Sequence, residues 1–313
     1  MRITLPGTDL HVHPLCLGGN VFGWSANRDE SFAVLDAYAE AGGNFIDTAD
    51  TYSSWANNSQ GGESESIIGE WMESRGNRHE MIIATKVGKA PGLNNLRPNT
   101  IRMCAEKSLE RLRTDRIDLY YAHQDHDDSM ADALEAFNSL VSQGTVRYLA
   151  ASNYTADRLR EALDLAAANG WAPYVALQPG YNLMERDDFE ANLMPLCVER
   201  QLGVLPYYAL ARGYLTGKYR LGGEDVVSVR SQGAGQFVGE RGERVLAALE
   251  SVAVSHGVTR AAVALAWLAT RPAVVSPIAS ARTVEQLDEQ LAMLNVSLTS
   301  NQIALLDAAS DEN

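Results

Sequence analysis

Eight short apolar runs, separated by longer amphipathic stretches, constrain the fold of this 313-residue chain more than any other feature. The runs are almost continuously apolar, which is typical of strands in a parallel sheet that is covered on both faces. Strand followed by helix, repeated about eight times, predicts a (β/α)₈ barrel, with a doubly wound sheet as the competing architecture. The predicted strands are Leu15–Leu17, Phe45–Ile46, Met81–Ala84, Ile117–Ala122, Val146–Ala151, Val175–Leu177, Val204–Leu205 and Ala273–Val275.

Helical spacing and helix-end signals fill the stretches between these runs. The predicted helices include one from Glu30 to Ala41, one after Pro98, one from Thr155 to Gly170 and one after a capping box at Thr283. We therefore predict an α/β fold in which residues 1–313 form a single (β/α)₈ (TIM) barrel domain.

Both ends of the chain add elements to the predicted barrel. Residues Thr4 to Val12 resemble a hairpin, which would leave His11 and His13 in solvent, and Thr299 to Ala309 read as an extra C-terminal helix. The glycine-rich segment from Ala211 to Arg241 is too long for an ordinary loop between strand and helix, which makes it a candidate functional loop.

The composition narrows the classes of partner. The net charge of −14 argues against nucleic acid, because phosphate backbones bind to basic surfaces. The three cysteines form no paired motif, the first residues lack the apolar core of a signal peptide, and no apolar run is long enough to cross a membrane. We therefore expect a cytoplasmic protein with a small-molecule substrate and no membrane partner.

Polar residues follow six of the apolar runs directly. In a barrel, these positions converge on the face at the carboxyl ends of the strands, where active sites form. Because polar side chains are costly to bury without partners, such a convergence points to a functional site. The residues are Asp47, Lys86, His123, the pair Ser152 and Asn153, Gln178 and Tyr207.

Aspartate, lysine, tyrosine and histidine together can make a phenol that donates a proton. A tyrosine has an ordinary pKa of ~10, and an adjacent ammonium is expected to lower it toward the range useful for acid catalysis. Asp47 would keep Lys86 charged, and His123 would hydrogen-bond the reacting oxygen. A carbonyl carbon must also receive a hydride, which no side chain supplies, so a nicotinamide cofactor is implied.

Three segments resemble motifs of the aldo-keto reductase family. Asn44–Tyr52 is similar to the motif with the catalytic aspartate and tyrosine, Ala84–Lys86 to the lysine strand, and Asp118–His123 to the histidine strand. The resemblance implies a barrel reductase that converts an aldehyde or ketone to an alcohol with NADP(H). By this resemblance the catalytic residues are Asp47, Tyr52, Lys86 and His123, with Tyr52 as the general acid.

The same resemblance assigns residues to the cofactor. Ser152, Asn153 and Gln178 match the positions that hold the nicotinamide carboxamide, and Tyr207 matches the aromatic residue that stacks on the ring. The adenosine half and its phosphate correspond to Ser280, Arg282, Gln286 and Gln290. Tyr208 and Ala209 depart from the serine and proline that the family often has there.

Other readings of these residues stay open. Asp47 and Lys86 could form a purely structural ion pair, and the chain could be a nicotinamide-binding redox sensor resembling potassium-channel β-subunits. The cluster from His123 to Asp128 could be read as metal ligands, but one loop rarely supplies a full set, so no metal site is predicted. Trp24 and Trp55 follow the first two strands and are candidates for the substrate pocket.

Overall fold

The computed structural model describes residues 2–56, 59–219 and 231–311. Eight parallel strands lie at its centre, and from β3 to β9 each strand pairs with the next along the chain. Including a two-stranded sheet at the N-terminal end, the strands are β1 (Ile3–Thr4), β2 (His11–Val12), β3 (Cys16–Gly18), β4 (Phe45–Asp47), β5 (Ile82–Val87), β6 (Ile117–Ala122), β7 (Val146–Ser152), β8 (Tyr174–Gln178), β9 (Gly203–Val204) and β10 (Ile278–Ala279).

The segment that ends in β10 closes the ring of strands. β10 pairs with β3 on one side. On the other side, the N–H of Val204 donates to the carbonyl of Ala273 at 2.8 Å, and the N–H of Val275 donates to the carbonyl of Val204 at 2.9 Å. The prediction of a (β/α)₈ barrel is therefore confirmed.

The predicted position of the last strand was wrong by a few residues. Ala273–Val275 makes only one isolated bridge, at Val274, and the regular pairing falls on β10. Ala273 has a φ of 64°, outside the extended region, and Pro277 has no N–H to donate to a ladder. The positive φ of Ala273 and the missing N–H of Pro277 keep this segment from forming a regular ladder before Ile278.

The predicted N-terminal hairpin is confirmed, and it closes the bottom of the barrel. β1 and β2 pair in antiparallel fashion, and Leu5, Leu10 and Val12 are buried in the cluster that fills the barrel interior. This cluster includes Phe45 and Ile82, the first residues of β4 and β5. The hairpin therefore covers the end where the strands begin and leaves the opposite end for a site.

His13 does not lie in solvent, as the hairpin prediction expected. It is 4% exposed, its N–H donates to Asn44 Oδ1 at 2.9 Å, and its Nδ1 lies 3.0 Å from the carbonyl oxygen of Leu15. Burial lowers the pKa of His13 below its ordinary value. The chain turns from the hairpin into β3 at this point, which places the imidazole under the barrel wall.

The helices lie around the strands, and those predicted after Pro98 and from Thr155 and Thr299 begin there. Pro98 occupies the first turn of its helix, and Thr155 and Thr299 accept hydrogen bonds from N–H groups of the first turn. The helix predicted from Glu30 begins two residues earlier, at Arg28, because Asn27 forms a capping box with Glu30. The described α-helices are α1 (Arg28–Glu40), α2 (Glu63–Arg75), α3 (Pro98–Leu112), α4 (Met130–Ser142), α5 (Ala156–Asn169), α6 (Met194–Glu199), α7 (Ser231–Gly235), α8 (Glu240–His256), α9 (Arg260–Ala269), α10 (Val284–Leu291) and α11 (Ser300–Ser310).

The C-terminal helix α11 confirms the predicted extra element and packs against α8. Across the described ranges, no single helix is long and apolar enough to span a membrane. The pair α8 and α9 reaches the required length and composition only when taken together, across a bend of 95°. Part of the candidate loop Ala211–Arg241, residues 220–230, lies outside the described residues.

Candidate active site

The polar residues at the strand ends meet around one cavity, as the sequence predicts. Asp47, Ser152 and Gln178 are the last residues of β4, β7 and β8, and His123 follows β6 directly. They line a cavity of about 700 Å³ at the carboxyl end of the barrel, opposite the hairpin. Tyr52, Asn153 and Tyr207 also contribute to its wall.

Lys86 on β5 connects Asp47 and Tyr52 at the floor of this cavity. Its Nζ donates to Asp47 Oδ2 at 2.7 Å, to the Thr48 carbonyl at 2.7 Å and to Tyr52 Oη at 3.0 Å. The Tyr52 hydroxyl in turn lies 3.1 Å from Asp47 Oδ2. Lys86 has no exposed surface, so the ammonium is held by these three oxygens in a site without solvent.

The pKa of Tyr52 is raised well above its ordinary value, which contradicts the expected lowering. Burial is the main cause, followed by the negative charge of Asp47. The pKa of Lys86 is lowered, because burial outweighs the attraction of Asp47. The phenol of Tyr52 therefore holds its proton at neutral pH, while the hydrogen bond from Lys86 can stabilise a phenolate as soon as the proton leaves.

His123 offers a neutral imidazole to the cavity. Burial and then the charges of Lys86 and Lys89 lower its pKa well below the ordinary value. Its Nδ1 is buried and makes no hydrogen bond to any described residue. Because an unpaired buried nitrogen costs about 1–3 kcal/mol, such a group is more typical of a ligand-binding site than of a core.

Four predicted cofactor residues form a connected polar wall. Gln178 Nε2 donates to Asp47 Oδ1 at 2.8 Å, and Ser152 Oγ donates to the Gln178 carbonyl at 2.8 Å. Asn153 Nδ2 donates to the His123 carbonyl at 2.9 Å, and the Tyr207 hydroxyl donates to Asn153 Oδ1 at 2.8 Å. The wall is thereby fixed to the residues around Lys86, at a place where an amide ligand could exchange hydrogen bonds with it.

The segment after β10 brings the other predicted cofactor residues to the same cavity. Ser280, Arg282, Gln286 and Gln290 all line it. Ser280 Oγ hydrogen-bonds Asn20 Oδ1, and Gln290 Nε2 donates to the Ser280 carbonyl at 3.0 Å. Arg282 makes no side-chain hydrogen bond or ion pair that the described part of the chain shows, so its guanidinium is available to an anion.

The predicted capping box at Thr283 is only half formed. Thr283 accepts from the Gln286 N–H, as expected for the cap of α10. Gln286 Oε1, however, accepts from the N–H of Arg282 at 3.0 Å instead of from Thr283. The side chain of Gln286 thereby holds the backbone of Arg282 in place at the cavity edge.

The two tryptophans lie together, but only one lines the cavity. Trp55 is 51% exposed and contributes to the wall beside Tyr52, with ring centroids 6.0 Å apart. Trp24 packs edge-on against Trp55 at 5.5 Å and supports it from behind. Trp24 therefore contacts the cavity through Trp55 rather than directly.

Sequence reasoning missed several charged residues of the cavity wall. Arg212 lies over the Tyr208 ring at 4.2 Å and forms an ion pair with Glu185 at 3.2 Å. Lys89 and Glu289 also line the cavity. The glycine-rich stretch after β9 was a usable signal for Arg212, but nothing in the sequence places Lys89 or Glu289, because both lie in ordinary-looking loop or helix positions.

Three of the residues that suggested a metal site have other partners. Asp125 forms an ion pair with Arg158 at 2.7 Å, and His126 Nε2 lies 2.7 Å from the Gly88 carbonyl. Asp128 accepts from the N–H of Leu96 at 2.8 Å. In the described ranges, no three histidine, cysteine, aspartate or glutamate side chains are grouped as metal ligands would be.

Comparison with known proteins agrees with this geometry. A model of the aldo/keto reductase family matches residues 14–311. Norsolorinic acid reductase of Emericella nidulans is 33% identical, over 96% of this chain and 79% of that protein. An aryl-alcohol dehydrogenase (NADP(+)) of Phanerodontia chrysosporium is 33% identical, over 98% and 84%. The chain therefore belongs to the aldo/keto reductase family, whose members are oxidoreductases that generally use nicotinamide cofactors.

Proposed function

We propose that the protein reduces an aldehyde or ketone to an alcohol with NADPH, and that Tyr52 is the general acid. The observation that carries this proposal is the position of the Tyr52 hydroxyl, 3.0 Å from Lys86 Nζ and 3.1 Å from Asp47 Oδ2 at the wall of the cavity. A protonated phenol next to a buried ammonium can release its proton to a carbonyl oxygen and remain stabilised as the phenolate.

Each residue of the tetrad has a separate task in this mechanism. Lys86 stabilises the phenolate of Tyr52, and Asp47 keeps Lys86 charged and oriented at 2.7 Å. His123, as a neutral imidazole, would donate a hydrogen bond to the carbonyl oxygen and orient it toward Tyr52. A bound reduced nicotinamide supplies the hydride that no side chain can supply.

The residues of the wall fit a nicotinamide dinucleotide. Ser152, Asn153 and Gln178 would bind its carboxamide, and the Tyr207 ring would pack on the nicotinamide. At the other end, Ser280, Arg282, Gln286 and Gln290 would bind the adenosine half. The guanidinium of Arg282, which has no side-chain partner among the described residues, and the N–H groups at the start of α10 suit a 2′-phosphate, which favours NADPH.

The complete tetrad favours a reductase over the alternative of a nicotinamide-binding redox sensor. A sensor needs to bind the cofactor but has no need for a proton donor. In this chain a buried ammonium is positioned to stabilise the tyrosine phenolate.

The substitution Tyr52→Phe tests the proposal, because it keeps the ring and removes the proton donor. We expect NADPH binding, measured by fluorescence titration, to stay nearly unchanged. The rate of NADPH oxidation with a panel of aldehydes should fall by at least ~10²-fold. Tyr148→Phe, which alters a tyrosine at the bottom of the barrel, is the matched control and should keep full activity. Near-normal turnover by Tyr52→Phe would contradict the proposed acid.

A further inference from the structure

The cationic side chains that line the cavity are divided between two sides. Within the described ranges they are Lys89, Arg212, Lys218 and Arg282. Arg212 and Lys218 follow β9, and Arg282 follows β10, beside the residues proposed to bind the cofactor. Lys89 follows β5, four strands from β9 around the ring, on the side of Tyr52 and His123. A cofactor bound as proposed therefore leaves Lys89 without an anionic partner.

The backbone of Lys89 is held from two directions. The carbonyl of Gly88 lies 2.7 Å from His126 Nε2, and the carbonyl of Lys89 accepts from Thr51 Oγ1 at 3.1 Å. The side chain itself is exposed, and in the described part of the chain it makes no hydrogen bond or ion pair. Lys89 is close enough to His123 for its charge to contribute to the lowered pKa of the imidazole.

Trp55 gives the same side of the cavity a broad apolar face. It is 51% exposed, and its edge contacts with Trp24 and Tyr52 fix the plane of the indole. Large exposed aromatic faces at a cavity are typical of binding sites, because a ring that packs on them removes apolar surface from water. The wall next to Tyr52 therefore combines an aromatic face with an ammonium that has no partner in the described part of the chain.

The carboxylates that line the cavity leave the charge of Lys89 largely uncompensated. Asp47 is paired with Lys86 at 2.7 Å, and Glu289 lies on α10 at the side of Arg282. The protein as a whole carries a net charge of −14, which repels anions in general. The positive charge of Lys89 near the reacting groups would therefore favour substrates that carry a negatively charged substituent.

We propose that the substrates are aromatic carbonyl compounds that carry a carboxylate, with the ring packed on Trp55 and the carboxylate next to the ammonium of Lys89. This inference rests on the proposed function. The carbonyl gains one hydride on carbon and one proton on oxygen, from the reduced nicotinamide and Tyr52, and becomes an alcohol. The carboxylate is unchanged by the reaction and serves only for recognition.

The test compares 4-carboxybenzaldehyde with its uncharged methyl ester in the wild type and in Lys89→Met. In the wild type, kcat/KM should be about fivefold higher for the carboxylate, the upper range for an exposed ion pair, and the preference should shrink with added salt. Lys89→Met should lose this preference mainly through a higher KM for the carboxylate. The readout is the ratio of kcat/KM for the two substrates, in which a general effect of the lost charge on His123 cancels.

Matched variants separate a specific role of Lys89 from a general loss of structure. Lys107→Met changes an exposed lysine on α3, away from the cavity, and should keep the preference. Lys89→Glu should turn the preference toward an aldehyde with a quaternary ammonium group. Trp55→Leu should lower kcat/KM for both aromatic substrates but not for an aliphatic aldehyde.

Two different failures are distinguishable. Equal kcat/KM for the carboxylate and the ester in the wild type, or an equal loss for both in Lys89→Met, would overturn the inference and leave the proposed reductase intact. No oxidation of NADPH with any of these aldehydes would overturn the proposed function itself, and the inference with it.

Discussion

Lys86 is wholly buried, and its ammonium donates to three oxygens within 3.0 Å. Removing its charge leaves Asp47 as a carboxylate with Gln178 and Tyr52 as its hydrogen-bond donors among the described residues. A charge left in a buried site without its partner destabilises a fold more than the intact pair stabilises it, because the cost of desolvation is no longer offset.

Lys86→Met should therefore lower both stability and activity. We expect a loss of about 3–5 kcal/mol in the free energy of unfolding, measured by chemical denaturation, and an activity below detection in the NADPH assay. Lys107→Met serves as the control and should change neither quantity. A Lys86→Met protein with the wild-type melting temperature and rate would mean that the pair with Asp47 is not formed in solution.

A second prediction at the scale of single residues concerns Arg282 and the preference for NADPH over NADH. NADPH should bind more tightly than NADH by at least ~10-fold, which corresponds to ~1.4 kcal/mol. Arg282→Ala should remove much of this difference and leave the affinity for NADH nearly unchanged, as measured by fluorescence titration of both cofactors. Arg102→Ala, on the exposed surface of α3, should have no effect. A wild type that binds both cofactors equally would refute the preference. The charge of the nearby Glu289, which opposes that of Arg282, would then be the first cause to test.

At the scale of elements, the loop after β4 is supported by a buried polar cluster. Asp50 is 4% exposed, and neither of its carboxyl oxygens makes a hydrogen bond of normal geometry with a described residue. Glu65 on α2 accepts from Thr85 Oγ1 at 2.6 Å and from Arg111 Nε at 2.7 Å. Burial, and then the charge of Glu65, raise the pKa of Asp50 to about 7, against the opposing charge of Arg111.

This raised pKa predicts the direction of a pH effect on stability. The folded state binds the Asp50 proton more tightly than the unfolded state, whose pKa is near 3.8. The contribution of Asp50 to stability therefore falls as the pH rises from about 4 to about 7 and is constant above that. Asp50→Asn should gain stability relative to the wild type by on the order of 4 kcal/mol between about pH 4 and about pH 8.

Thermal unfolding of both proteins across this pH range gives the measurement. Asp115→Asn, at a side chain that is 91% exposed, is the control for the loss of one carboxylate at the surface. A difference between Asp50→Asn and the wild type that stays constant with pH would show that the pKa of Asp50 is not raised.

The elements show which parts of the structure a sequence can predict. Strand order, the hairpin and the caps of several helices follow from apolar runs and local hydrogen-bonding residues, and these predictions are confirmed. The predictions for the pairing at Ala273–Val275 and for the second half of the Thr283 capping box were wrong because of local backbone geometry. The predicted environment of His13 was wrong because it depends on a contact with a distant segment, at Asn44. The raised pKa of Tyr52 was missed for the same reason, since it depends on how deeply the barrel buries the phenol.

At the scale of the whole molecule, the local charge around the cavity differs from the net charge of the protein. A chain with 40 acidic and 26 basic side chains collects Lys89, Arg212, Lys218 and Arg282 around one cavity. The net charge disfavours a nucleic-acid partner, which stays a prediction, but it says nothing about this local surplus of cations. That residues 1–313 form one domain, and that the protein is cytoplasmic, stay predictions.

Residues 273–279, which include β10 and the segment before it, close the ring of strands. This late closure affects how the chain can fold during synthesis. Until residues 273–279 leave the ribosome, the edges of β3 and β9 both lack a partner. Unpaired strand edges are sites at which nascent chains associate wrongly. Pairing between the first and last strands of the barrel forms late, because these two strands are separated by the longest stretch of chain in the fold. The same delay applies to Ser280 and Arg282, so a nascent chain can acquire Asp47, Lys86 and His123 long before it can hold the adenosine end of a dinucleotide. Cofactor capture is therefore expected to follow the synthesis of β10 and α10 rather than to guide earlier stages.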